Sequence, residues 1–150
     1  MASYRQLYYH IVFGTKYHKP TLPDEHSEML YKYIWGIIKN KKSVLYRING
    51  SKDHVHLLVD IHPTIALAVF IKEIKVATSL WLKEQVEFKH FQGWSEGYAA
   101  FTISHRGKDD VIEYIKTQKE HHKTIIFKDE YKALLKEFGL EFNEEDWNAI

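Results

Sequence analysis

The chain has 150 residues, of which 45% are hydrophobic, and its 21 Lys and Arg against 20 Asp and Glu give a formal net charge of +1. This length and composition predict one compact domain over residues 1–150 and exclude a disordered or fibrous chain. The sequence has no cysteine, which excludes disulfides, thiolate nucleophiles and cysteine-ligated metal centres. It shows no secretory signal and no bilayer-length apolar run, so we expect a soluble cytoplasmic protein without a membrane partner.

The net positive charge is concentrated in the first third of the chain. Residues 1–50 carry 8 basic and 3 acidic side chains, whereas residues 101–150 carry 8 basic and 11 acidic ones. A cluster of this kind attracts phosphates, although the solvated end of a helix has the same composition. The candidate residues for contacts with a DNA backbone are Lys39, Lys41, Lys42 and Arg47.

The periodicity of the apolar residues changes along the chain between that of strands and that of helices. Alternation with period two indicates a strand, and recurrence every three to four residues indicates a helix. Asp24 is the predicted cap of the first helix, the pair Asn49-Gly50 predicts a tight hairpin turn, and Gly139 ends the last helix. The predicted elements are a strand at 5–15, a helix at 24–40, strands at 43–49 and 52–61, a helix from Pro63 to about Glu87, a strand at 97–104, a helix capped by Asp109 or Asp110, and a helix at 129–138.

This order of elements predicts an α+β, ferredoxin-like (RRM-like) fold. Its antiparallel sheet would have the first and third strands as central neighbours and helices on one face, with further helices at the C-terminal end of the chain. The other face of the sheet would be free to hold a ligand.

Two histidines lie at alternate positions of the third predicted strand. Val55, Leu57 and Val59 would face the helices, so His54 and His56 would project together from the opposite face. Two imidazoles in this arrangement can bind one divalent ion. The alternative is a pair of surface histidines on an exposed sheet.

A tyrosine and a glutamine lie one helical turn apart near the end of the sheet region. Tyr114 and Gln118 occupy positions i and i+4, which places a phenol beside an amide oxygen that can ligate a metal. The alternative is an amphipathic helix whose tyrosine completes the core.

Taken together, these motifs resemble those of a known family, the single-tyrosine HUH transposases, which include the IS200-like and the REP-associated tyrosine transposases. The resemblance covers almost the whole chain and keeps the order of the family's motifs. The stretches that carry it are Tyr8–Tyr17, Ile48–Gly50, His54–His56, Lys72–Leu82, Gly93–Ser104, Tyr114–His122 and Phe127–Tyr131.

The resemblance implies an activity and a set of site residues. His54, His56 and Gln118 would bind Mg²⁺ or Mn²⁺, and Tyr114 would attack a phosphate of single-stranded DNA at a hairpin-bearing end. The products would be a 5′-phosphotyrosine and a free 3′-hydroxyl, from which strands can be rejoined. The resemblance also implies a homodimer in which the metal histidines of one subunit face Tyr114 of the other, in a bacterial or archaeal cell where the protein associates with the nucleoid.

Several other residues have both a functional and a structural interpretation. His10 would lie on the neighbouring strand and the same face as His54 and His56, where it could orient DNA or hydrogen-bond within the sheet. Exposed ends of helices explain His121 and His122 better than phosphate contacts do. Trp94 and Tyr98 could stack on unpaired bases or belong to the core.

Two further functions compete with a transposase. One is a domesticated protein of the same fold that binds DNA or RNA hairpins without cleaving them, but such a protein has no need to keep His54, His56, Tyr114 and Gln118. The other is a histidine phosphoesterase, whose pattern requires a third histidine where this chain has Leu58.

Overall fold

The computed structural model describes residues 2–150, and a four-stranded antiparallel sheet is its centre. The strands are β1 (Tyr8–Gly14), β2 (Val44–Gly50), β3 (His54–Asp60) and β4 (Ala99–Ile103). Their order across the sheet is β2-β3-β1-β4, which confirms the α+β prediction and the central position of the first and third strands. In the register of the sheet, Val12 pairs with His56 and Asn49 pairs with His56 from the other side.

One face of the sheet is covered by the two long helices, α1 (Ser27–Asn40) and α2 (Leu67–Lys83). The core between them and the sheet is formed by fully buried aliphatic and aromatic side chains. Those from β1 and β3 alternate along each strand, so the predicted strand periodicity is confirmed for this face. Its central members are Ile11, Phe13, Leu30, Ile34, Val55, Leu57, Val59, Phe70 and Ile74.

The other face, predicted to be free, is covered as well. The three C-terminal helices α3 (Lys108–Lys116), α4 (Gln118–His121) and α5 (Phe127–Glu137) lie on this face. α3 and α5 form a second core with the side chains of β1, β3 and β4 that point away from α1 and α2. The prediction of a free face was therefore wrong, because an apolar stripe on α3 and α5 needs a surface to cover. This second core includes Val12, Leu58, Phe101, Ile115, Phe127, Tyr131 and Leu134.

The hairpin between β2 and β3 turns later than predicted. Asn49 and Gly50 are still paired in the strand, and the turn occupies residues 51–53. Gly50 has a different role there, since a Cβ at this position would lie 2.2 Å from the carbonyl oxygen of His54. The glycine is thus needed for close approach of the two strands rather than for the turn.

The ends of the helices also differ from the prediction. Asp24 makes no capping hydrogen bond, and residues 24–26 form a 3₁₀ turn before α1 begins at Ser27. Asp109 and Asp110 lie inside the first turn of α3, where their charge complements the helix dipole. Gly139 adopts a left-handed conformation just after α5, as its predicted role requires. None of the helices in residues 2–150 is long and apolar enough to cross a membrane.

Candidate active site and metal centre

His54 and His56 project from β3 towards the C-terminal helices and are fully buried beneath them. Their Nε2 atoms lie 3.3 Å and 3.1 Å from Oε1 of Glu130 on α5. The two imidazoles thus converge on one point, as the strand spacing predicted. The interpretation as surface histidines is wrong, because both side chains have no exposed area.

The point of convergence also includes a third histidine. His122 follows α4, and its Nε2 lies 2.9 Å from the same Oε1 of Glu130. One ligand atom from each of His54, His56, His122 and Glu130 lies within 4.8 Å of all the others. Three imidazole nitrogens and a carboxylate oxygen suit a divalent transition metal.

Neither His122 nor Glu130 was predicted for this site. His122 was interpreted as an exposed histidine at the end of a helix, and that interpretation is wrong because only 6% of its side chain is exposed. Glu130 is an acidic residue in the first turn of α5, a position where such residues are ordinary. The available signal was weak: a histidine followed at eight residues by a glutamate at the beginning of a helix.

Tyr114 and Gln118 reach the same carboxylate from the other side. The phenol of Tyr114 donates a hydrogen bond to Oε2 of Glu130, and the amide nitrogen of Gln118 donates to the same atom at 2.7 Å. The amide oxygen of Gln118 lies 3.3 Å from Nε2 of His54. Glu130 therefore joins the predicted nucleophile and all three predicted metal ligands.

The helix that was expected to carry both residues is broken between them. α3 ends at Lys116, Thr117 has φ −94° and ψ 12°, and Gln118 begins α4. Tyr114 and Gln118 nevertheless meet, because the break turns the buried amide of Gln118 towards Glu130.

Hydrogen-bond partners on the far side of each ring orient the two strand histidines. Nδ1 of His54 lies 2.7 Å from a carboxylate oxygen of Asp53, and Nδ1 of His56 lies 2.8 Å from Nε2 of His10. Each ring thus has Nδ1 engaged and Nε2 directed at the cluster, which is the usual support for a metal-binding histidine. Phe127 stacks on the His54 ring with centroids 3.9 Å apart and holds that ring from a third side.

Burial and the shared carboxylate set the protonation of the site. Burial lowers the pKa of His10 to about 3 and that of His56 to about 4, so both rings are neutral at pH 7. Burial opposes protonation of His54 too, but hydrogen bonds with Asp53 and Glu130 outweigh it and raise the pKa of His54. Although burial opposes ionisation of Glu130, hydrogen bonds from His122, His54 and His56 outweigh it and hold the pKa of Glu130 well below its usual range.

The nucleophile candidate is strongly held in its protonated form. Burial, followed by the charge of Glu130 and the hydrogen bond to it, raises the pKa of Tyr114 well above 10. Tyr114 packs edge-on against the rings of His10 and His56, with centroids 6.0 Å and 5.8 Å away. Ionisation of the phenol therefore requires that the negative charge of Glu130 be offset.

The predicted DNA-contact residues are spread over the end of α1 and the edge strand β2. Lys41 is paired with Glu73 of α2, and Lys39 lies 5.0 Å above the ring of Trp35. Lys42 is exposed, and Arg47 lines an open groove of about 310 Å³ between α1 and β2. The structure thus places Lys39, Lys41 and Lys42 at or just after the end of α1 and Arg47 within β2, without joining the four residues in one cluster.

The remaining candidates have mainly structural contacts. Trp94 donates a hydrogen bond from Nε1 to Thr78 at 2.8 Å and packs edge-on against Phe13, so it belongs to the core on the α2 side. Tyr98 is partly exposed on that side, where the ammonium of Lys75 lies 6.0 Å above its ring. His121 is partly exposed, with Nε2 3.7 Å from Oε2 of Glu130.

Comparison with known proteins identifies the family. The model of the family "Transposase IS200 like" matches residues 3–118, and the chain belongs to this family of DNA-cleaving enzymes. The match includes His54, His56, Tyr114 and Gln118, and it ends before His122 and Glu130. The earlier resemblance to IS200-like transposases is thereby confirmed.

Individual relatives agree with this assignment. The transposase for insertion sequence element IS200 of Salmonella typhimurium is 27% identical over 120 residues, which cover 77% of this chain and 78% of that protein. The ISDra2 transposase TnpA of Deinococcus radiodurans is also 27% identical, over 77% of this chain and 86% of its own length.

A solved structure shares the fold. The structure of a REP-associated tyrosine transposase bound to a REP hairpin superimposes with a TM-score of 0.62 over 83% of this chain and 76% of that one. The two sequences are 13% identical, so this likeness concerns the fold alone.

Proposed function

We propose that this chain is a transposase that nicks and rejoins single-stranded DNA at hairpin-bearing ends, with Tyr114 as nucleophile. The observation that carries the proposal is the convergence of Tyr114, His54 and His56 on one buried carboxylate, that of Glu130. Residues 1–150 would form one catalytic unit that acts in the bacterial or archaeal cytoplasm, next to the nucleoid.

The residues of the cluster fit a divalent ion. His54, His56 and Glu130 would hold it, and the amide oxygen of Gln118 and the ring of His122 lie close enough to complete the set. The mixture of nitrogen and oxygen ligands suits Mn²⁺ better than Mg²⁺. When bound, such an ion polarises the phosphate, stabilises the charge that develops on its oxygens and offsets the charge of Glu130.

The chain's own residues then carry the cleavage step. With the charge of Glu130 offset, the phenol of Tyr114, which is hydrogen-bonded to Oε2 of Glu130, gives up its proton to solvent water. The phenolate oxygen forms a bond to phosphorus, the bond between phosphorus and the 3′-oxygen breaks, and the 3′-oxygen takes a proton from water. A phosphodiester is thus exchanged for a phosphotyrosine ester of similar energy, and the reverse reaction rejoins a strand without an external energy source.

Hairpin DNA is the substrate that best fits the family and the fold. The solved relative of the same fold is described with a REP hairpin bound. Lys39 and Lys42 at the end of α1 and Arg47 on β2 supply positive charge to which a DNA backbone could bind.

The composite homodimer that the resemblance implies stays a prediction. The single chain supports a different arrangement, because Tyr114 already lies against His56 and Glu130 of its own chain. A site within one chain needs no partner, whereas a composite site requires that α3 leave this position. Mixing two inactive variants, as described in the Discussion, separates the two arrangements.

A second candidate function, that of a hairpin-binding protein without cleavage, is favoured by one observation. The carboxylate of Glu130 occupies the point on which the histidines converge, and it holds the phenol of Tyr114 in its protonated form. If no ion displaces these contacts, the protein would bind DNA and leave it intact.

The deciding experiment is incubation of the protein with end-labelled hairpin DNA carrying single-stranded flanks, in Mn²⁺ or in EDTA. We expect a protein–DNA adduct that survives denaturation, only with the metal. Tyr114→Phe should form no adduct and bind the hairpin as well as the wild type, because only a hydroxyl is lost. An adduct of normal yield in this variant would show that another residue is the nucleophile, and no adduct with any hairpin would favour the binding protein.

A further inference from the structure

The break between α3 and α4 is attached to the edge strand β2 by side chains outside the proposed metal centre. Asn49, at the end of β2, donates a hydrogen bond from Nδ2 to the carbonyl of Lys116 at 3.0 Å. This carbonyl belongs to the last residue of α3. Because the helix breaks at Thr117, the carbonyl lacks the intrahelical hydrogen-bond donor that a continuous helix would provide. The bond therefore stabilises the break itself.

Asn49 is itself fixed on both sides. Its Oδ1 accepts a hydrogen bond from the backbone N–H of Gly50 at 2.9 Å and one from the phenol of Tyr31 at 3.4 Å. Asn49 also stands directly opposite His56 in the pairing of β2 with β3. One side chain thus connects the strand next to His56 with the helix end that follows Tyr114.

Lys119 provides a second connection, one residue beyond Gln118. Its ammonium donates to the carbonyl of Gly50 at 3.2 Å and to the phenol of Tyr31 at 3.3 Å, and it lies 3.8 Å from a carboxylate oxygen of Asp24. The ammonium also lies 5.3 Å from the centre of the Tyr31 ring. α4 is thereby attached to both β2 and α1.

We propose that Asn49 and Lys119 are positioning residues that hold the α3–α4 break against β2 and so place Tyr114 and Gln118 at Glu130. We call this pair the α3–α4 latch. The role rests on the proposed function, since it concerns the geometry of the tyrosine nucleophile. In the described part of the chain, neither side chain forms a hydrogen bond with Glu130 or the three histidines, so the latch acts through the placement of the helices.

The physical reason is the shortness of the segments that the latch holds. α3 has nine residues and α4 has four, and neither is stable as an isolated helix. Ile115 is the one residue of α3 that is fully buried, and Val111, Ile112 and Tyr114 are only partly buried against the same core. The two latch residues supply the missing polar anchors on either side of Thr117.

Two conservative variants remove the latch without removing volume. Asn49→Asp keeps the shape and the acceptor but loses the donor to Lys116, and Lys119→Met keeps the length of the side chain but loses the ammonium. Lys119→Arg keeps the charge and should retain most of the activity. Lys123→Met is the matched control, because Lys123 is exposed and pairs with Glu120 on the surface.

Two measurements on the full chain test the placement. The first is the single-turnover rate of adduct formation at saturating hairpin DNA, which should fall roughly tenfold to a hundredfold in Asn49→Asp and Lys119→Met, because a nucleophile displaced by about 1 Å loses that much. The dissociation constant for the hairpin should stay unchanged. The second is the ¹⁹F NMR signal of 3-fluorotyrosine at position 114, which should move in both variants towards that of an exposed phenol.

The outcomes separate the latch from the proposed function. Variants with the wild-type rate and the wild-type ¹⁹F signal overturn the latch, and so does a lower rate with an unmoved signal. A moved signal in a protein whose wild type forms no adduct supports the latch and refutes the nicking activity. If Asn49→Asp does not fold, Lys119→Met with its Lys119→Arg partner decides the question alone.

Discussion

Replacing Glu130 by glutamine should destabilise the metal-free protein and weaken metal binding. The carboxylate is 3% exposed and accepts from the Tyr114 phenol, the Gln118 amide and the rings of three histidines. Glutamine has the same shape, but one of its two polar atoms is an NH₂ group that would face another donor. Removing one partner from a buried charged network lowers the free energy of unfolding by about 3–5 kcal/mol. Because glutamine retains one acceptor oxygen, we expect a loss near the lower end of this range.

The expected loss is large enough to measure by simple denaturation. A loss of about 3 kcal/mol corresponds to a fall in Tm of roughly 6–12 °C for a domain of this size. Thermal unfolding in EDTA at pH 7 gives the value, with Glu137→Gln as the matched control, because Glu137 lies on the same helix and is exposed. A Tm equal to that of the wild type would refute the view of Glu130 as the centre of the network.

The same variant tests whether Glu130 is a metal ligand. If it is, the dissociation constant for Mn²⁺, measured by calorimetry, should rise by about tenfold to a hundredfold. If the carboxylate only fills the place of the ion, the variant should bind Mn²⁺ as tightly as the wild type or more tightly. That second result would leave His54, His56 and the amide of Gln118 as the ligands.

Three further predictions concern the same site. His54→Ala and His56→Ala should each abolish metal-dependent adduct formation, and Gln118→Ala should reduce it less, because a neutral amide is the weakest ligand; normal cleavage in EDTA would contradict all three. A mixture of His56→Ala and Tyr114→Phe should stay inactive if sites form within one chain, and recovery of adduct on the first variant would support the composite dimer. In the folded protein the pKa values of the buried His10 and His56 are about 3 and 4, so between these values and pH 6.5 the two rings take up protons only on unfolding. The free energy of unfolding in EDTA should therefore fall as the pH drops through that range, and it should fall less steeply in His10→Gln. An equal dependence of stability on pH in the wild type and in His10→Gln would contradict the assignment of His10 as a buried, neutral histidine.

The sheet and its strand order could be predicted because the strands have recognisable local sequence patterns. β1 and β3 read as alternating patterns, and the β-α-β-β-α-β order leaves few topologies. The second covered face was less visible, although the run from Val55 to Val59 is apolar at consecutive positions apart from His56. Such a run is typical of a strand buried on both faces. The histidines interrupt it, and their polarity suggested solvent where there is in fact a second helical layer.

The helix ends and the hairpin turn were misplaced for a different reason. The pair Asn49-Gly50 is the usual signal of a tight turn, yet here Asn49 is needed beside His56 and Gly50 is needed for contact with the His54 backbone. Tertiary contacts therefore outweigh the local preference. The break of the tyrosine helix at Thr117 follows the same rule, since its stabilising bond comes from Asn49, far away in the sequence.

The site divides in a similar way between what local spacing reveals and what it hides. His54 and His56 are visible because one strand carries both, and Tyr114 and Gln118 because a single helical turn separates them. Glu130 and His122 each enter from a separate segment, and each already has an ordinary explanation at its own position, one at the beginning of a helix and one at the end. Only the docking of α5 on β3 brings the carboxylate to the histidines, 74 residues from His56 along the chain. A residue that joins several motifs, and belongs to none of them, is therefore the part of an active site that sequence patterns are least able to show.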